Sequence, residues 1–137
     1  MGNIMFEIIK HKNKLKQAFS DCFQPLKSIF DNVPIPMQKD RYVTAAILGT
    51  CRGYAEKNDL TEKEFASIVD AVFEEVYRQD SINVQTRTEV WLTENDEAFM
   101  QSYYHAKDKV SPDIDLTWLQ SYAKENFDVA IEVRHVT

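Results

Sequence analysis

Ser81-Ile82-Asn83-Val84-Gln85-Thr86-Arg87-Thr88-Glu89-Val90-Trp91-Leu92 is the stretch on which the fold class turns. Ile82, Val84, Thr86, Thr88, Val90 and Leu92 occupy every second position, and all but Leu92 are β-branched. That is strand chemistry at strand period. The same letters also satisfy a helix, because Val84, Thr88, Trp91, Asn95, Ala98 and Phe99 share one helical face that runs on into the next segment. The alternation favours a strand over residues 82–92. Its partner would be the tail, where Phe127-Asp128-Val129-Ala130-Ile131-Glu132-Val133 alternates again. A lone pair of strands is marginal unless it packs on helices.

Helical signals dominate on both sides of this stretch. Thr61-Glu62-Lys63-Glu64 is a capping box, in which Thr61 accepts from the third helical N–H and Glu64 reaches back. Phe65, Ile68, Val69, Val72, Phe73 and Val76 follow at helical spacing, so a helix is predicted over residues 61–79. Upstream, Val43, Ile47, Cys51 and Tyr54 mark one face of a helix over residues 38–57, and Ala45, Gly49 and Gly53 mark another. Each glycine costs a helix interior about 1 kcal/mol relative to Ala, a cost that close approach by a neighbouring helix would offset. The segment lacks the Lys, the following hydroxyl and the preceding strand of a phosphate-binding loop. Residues 38–80 therefore read as a helical hairpin core.

Downstream, Thr93 is placed to cap a helix over residues 94–109, with Glu94, Asp96 and Glu97 in its first turn and Lys107 and Lys109 in its last. Leu116, Leu119, Tyr122 and Ala123 support a short helix after it. At the other end, Ile8, Leu15, Phe19, Cys22, Leu26 and Ile29 lay one apolar stripe along a helical arm that Pro25 interrupts, before an extended loop at Pro34 and Pro36. The expected fold class is mainly α: a single helical domain over residues 1–137 with about five helices and a minor two-stranded element at 82–92 and 128–136.

A chain of 137 residues that is 44% apolar and 12% aromatic suits a globular domain and excludes a disordered or linker protein. No stretch is long and apolar enough to span a membrane, and no secretory signal is visible at the N-terminus. Together with only two cysteines, Cys22 and Cys51, this points to a reducing, cytoplasmic setting with unpaired thiols. The net charge is −6, but residues 1–27 hold five lysines against Glu7 and Asp21, a balance of +3 that leaves −9 for the remainder. The acidic body disfavours nucleic acid as a partner.

Reactive side chains are scattered. His11, His105 and His135 lie in separate elements with no second ligand at metal spacing, so neither a metal nor a cofactor is implied. Cys51 falls on an apolar face, where a thiol behaves as a small hydrophobe. Asp113 and Asp115 lack the central Gly and closing Glu of a calcium loop and read as a helix cap.

Three functional readings follow. The preferred one is a non-enzymatic protein-binding module of the adaptor, secretion chaperone, immunity protein or inhibitor kind. It would present Trp91, Tyr103, Tyr104 and Trp118, with Glu94 and Glu97 beside them, to a basic protein partner, and homodimerisation stays open to it. The second is an enzyme or small-ligand binder whose site assembles from Cys51, Arg52, Tyr104 and His105. The third is binding of nucleic acid or an anionic membrane through Lys10, Lys12, Lys14 and Lys16.

Overall fold

The computed structural model describes residues 2–28, 32–110 and 113–127, with side chains from Phe6 onward. The chain runs as α1 (Gly2–Phe23), a 3-10 turn (Gln24–Leu26), α2 (Ile35–Gln38), α3 (Arg41–Lys57), α4 (Glu62–Tyr77), a second 3-10 turn (Arg78–Asp80), α5 (Ser81–Thr93), α6 (Glu97–Lys109) and α7 (Thr117–Phe127). No strand occurs among the described residues. The helical class expected from sequence is what forms.

The strand expected over residues 82–92 is instead α5. Ser81, Val84 and Thr88, at helical steps of three and four, are its buried face, while the alternating positions Ile82, Val90 and Leu92 are left exposed. Burial against neighbouring helices therefore outweighs the β-branched alternation, which had no established sheet to join. The threonine hydroxyls are satisfied inside the helix: Thr86 donates to the Ile82 carbonyl at 2.9 Å and Thr88 to that of Val84 at 2.7 Å. The partner segment at 128–136 lies outside the described residues.

α3 is the centre of the molecule, buried continuously from Val43 to Cys51. It opens at Asp40, whose carboxylate accepts the Val43 N–H at 3.0 Å and also the Tyr122 hydroxyl of α7 at 3.1 Å. Val43, Ile47, Cys51 and Tyr54 join the main core with Leu15, Phe19 and Phe23 of α1, Ile68, Val72 and Phe73 of α4, and Leu119 of α7. A smaller cluster joins Ala45 and Leu48 to Phe99 and Tyr103 of α6. The expected hairpin of residues 38–80 is thus not the main pairing. α3 lies closest along α6, and α4 along α1.

The glycines explain the first of these pairings. A Cβ at Gly49 would strike the Tyr103 carbonyl and touch the Ala106 Cβ at 3.0 Å, and one at Gly53 would strike the Lys107 carbonyl and press Val110. The two helices run parallel, as their partners show: Arg41 pairs with Asp96 at one end at 3.4 Å, and Glu56 with Lys107 at the other at 3.2 Å.

The helix ends are mostly capped as the sequence suggests. Thr61 and Glu64 form the expected box, with N–H to side-chain distances of 3.1 and 2.8 Å. α6 starts later than expected, because Asp96 rather than Thr93 caps it, accepting the Phe99 N–H at 3.0 Å. The preceding residue, Asn95, has φ of 53° and turns the chain between α5 and α6.

Candidate functional site

The aromatic and acidic set read from the sequence is spread over several environments. Tyr103 packs into the smaller core cluster. Trp91 is half-buried, its ring 6.0 Å from that of Phe99 and covered by the Arg41 guanidinium at 5.3 Å. Trp118 donates its indole N–H to the Asp115 carbonyl at 3.0 Å and sits beside Tyr42, His105 and Lys109. Only Glu97 and Tyr104 share a free surface, the outer face of α6 that also carries Gln101 and Asp108, while Glu94 is exposed in the turn before it.

The residues of the alternative catalytic set do not surround one space. Cys51 is fully buried, whereas Tyr104 and His105 are exposed on α6. Arg52 is held in a two-pronged bond to Glu62 at 2.7 and 3.2 Å, over the face of the Phe65 ring at 3.6 Å. Burial pushes both the Cys22 and Cys51 thiols up to about 12, so neither is a nucleophile at neutral pH. Among the described residues no group of three or more His, Cys, Asp or Glu could hold a metal ion.

One polar constellation is absent from the sequence reading. His11 Nδ1 lies 2.5 Å from the Tyr54 hydroxyl, and its Nε2 is 3.9 Å from Glu7 one turn earlier on α1. Burial raises the Tyr54 phenol above its ordinary value, with the Glu7 charge adding to the effect, so the phenol stays protonated. The line of carboxylate, imidazole and phenol latches α1 onto α3. The i, i+4 spacing of Glu7 and His11 was its one signal in the sequence.

A mainly apolar groove of about 200 Å³ lies between α4 and α5. Leu48 of α3 and Phe73 form its floor, Phe65 and Val69 one wall, and Thr88 and Leu92 the other. Its lip is polar and acidic. Glu89 lines it directly, and Gln85, which also lines it, donates to Asp70 at 3.1 Å. Towards the α4–α5 turn lies a depression bounded by Asp70, Glu74, Arg78 and the exposed Ile82.

Sequence reasoning missed this groove because Phe65, Val69 and Phe73 were read as one helical stripe, Leu92 was placed in a strand, and Leu48 was not singled out. The signal that could have found it is the surplus of apolar residues on α5, more than one helical face can bury. No helix of the described residues is long and apolar enough to cross a membrane. Comparison of the chain with protein-family models, with curated proteins and with solved structures found no match.

Proposed function

We propose that this protein is a non-enzymatic binding module whose α4–α5 groove receives an amphipathic helix of a basic protein partner. The observation that carries the reading is the groove itself, apolar inside and lined at its lip by Glu89, with Asp70 held beside it by Gln85. A helix laid along it places apolar side chains at i, i+3 or i+4, and i+7 against Val69, Phe73 and Leu92, and its lysines or arginines beside the carboxylates. Adaptor, chaperone, immunity and inhibitor roles all fit such a module. Residence in the cytoplasm belongs to the same proposal and is supported by two buried, unpaired cysteines.

The test uses a synthetic helical peptide with leucines on one face and lysines on the other, and a matched peptide with glutamates replacing the lysines. Titration into labelled protein should shift the amide resonances of Phe65, Val69, Thr88 and Leu92 with the lysine peptide only. Leu92→Asp should weaken binding at least tenfold, and Glu89→Lys several-fold with the larger effect at low salt. Shifts confined to another face, or equal binding of the glutamate peptide, would refute the reading.

A further inference from the structure

The outer face of α1 has no role in that reading. With residues projected at about 100° apiece, Leu15, Phe19 and Cys22 point into the core, and Phe6 and Ile9 fall on the far side with Asn13. Phe6 is 72% exposed and Ile9 48%. On one flank of this pair stand Lys12 and Lys16, half-buried along their stems, and on the other the exposed Lys10 and Lys14. Two apolar side chains thus project from solvent-facing helix between two rows of lysine, within the stretch 1–27 whose charge balance is +3.

We propose that this face docks onto the surface of an anionic phospholipid bilayer. Phe6 and Ile9 enter the boundary between headgroups and acyl chains, and Lys10 on one flank and Lys12 and Lys16 on the other extend to the lipid phosphates and carboxylates, while Lys14 sits over the Tyr54 ring. The −9 balance of the rest of the chain sets the orientation, since the acidic body is repelled from the same surface and turns outward. A lipid surface uses both parts of the pattern. A nucleic acid would use only the lysines and leave the exposed apolar pair without a role.

Sedimentation with vesicles of phosphatidylcholine, alone or doped with phosphatidylserine, tests the proposal at low salt on the full chain. The protein should bind the doped vesicles and not the neutral ones. Lys10→Gln, Lys12→Gln and Lys16→Gln combined should weaken binding roughly a hundredfold, as expected for three lysines at an anionic surface. Phe6→Ser with Ile9→Ser should weaken it roughly tenfold while leaving the melting temperature unchanged, because neither side chain is in the core. Leu92→Asp should have no effect, which separates this face from the α4–α5 groove. Failure to bind doped vesicles, equal binding to neutral ones, or full binding by the Phe6/Ile9 variant would each overturn the proposal. In the last case, equal affinity for duplex DNA would identify a lysine-only polyanion site.

Discussion

Gly49 and Gly53 are where α3 and α6 come closest, and the opposing atoms are backbone carbonyls that cannot rotate away. Alanine ordinarily stabilises a helix interior by about 1 kcal/mol over glycine. Here overpacking, typically 1–3 kcal/mol, acts against that gain and wins. Gly49→Ala should therefore lower stability by about 1–2 kcal/mol in urea unfolding, and an increase would show that the helices are further apart. Another prediction at this scale concerns Asp115, which accepts both the N–H and the hydroxyl of Thr117, at 2.9 and 2.5 Å. Those bonds hold its carboxyl below the ordinary value, so it favours the folded state above the usual carboxylate range and ceases to do so as pH falls through the lowered value. Thr117→Ala should return the Asp115 titration, followed by carbon NMR, towards that of a free aspartate. The two glycines were legible because a helix does not keep them without a packing reason, and the Thr61 box because it is local. Asp96 was not, since Thr93, Asp96 and Asn95 all suit a cap and only the fold decides where the turn falls.

At the scale of elements, α5 was the misreading, and the reason is instructive. Ile82, Thr86 and Val90 alternate as a strand would, yet Ser81, Val84 and Thr88 are what the neighbouring helices bury. Thr86 gives a test whose sign depends on the answer. It is exposed and its hydroxyl bonds only to the Ile82 carbonyl, so Thr86→Ala in a helix should stabilise the protein by about 0.5 kcal/mol. In a strand the same change would destabilise it. Chemical unfolding monitored by circular dichroism measures the sign directly. The groove was illegible for a related reason: its floor and walls come from three helices whose apolar residues each look like ordinary core, and its existence depends on how α4 and α5 splay apart. The aromatic set failed to assemble because sequence proximity of Trp91, Tyr103, Tyr104 and Trp118 says nothing about which helix face each occupies.

For the whole molecule, the buried thiols and phenols set its response to alkali. Cys22 and Cys51 rise from 9.0 to about 12, Tyr122 rises to about 12, and burial raises Tyr77 further. Groups with raised values favour the folded state below their ordinary range and lose that contribution as pH climbs through the folded one, because the unfolded chain ionises first. The melting temperature should fall steadily from about pH 9 upward, and Cys51→Ala should flatten that limb relative to the parent protein's own neutral value. A melting curve independent of alkali would contradict the burial. Apolar periodicity and caps made the helical class legible and charge counting the acidic body, while the division into a basic outer helix face and a groove with Glu89 at its lip needed three dimensions.

The parallel course of α3 and α6 carries a kinetic consequence. Residues as remote as Gly49 and Tyr103 must meet, so the intervening α4 and α5 form an excursion whose closing entropy has to be overcome before the seam rewards it. Helical proteins built from neighbouring hairpins fold fastest, and this one has a distant pairing at its centre. Refolding, rather than unfolding, is then the limb of a stopped-flow chevron that a methyl at Gly49 slows, because the encounter of these two rods is the event on which the remaining helices wait.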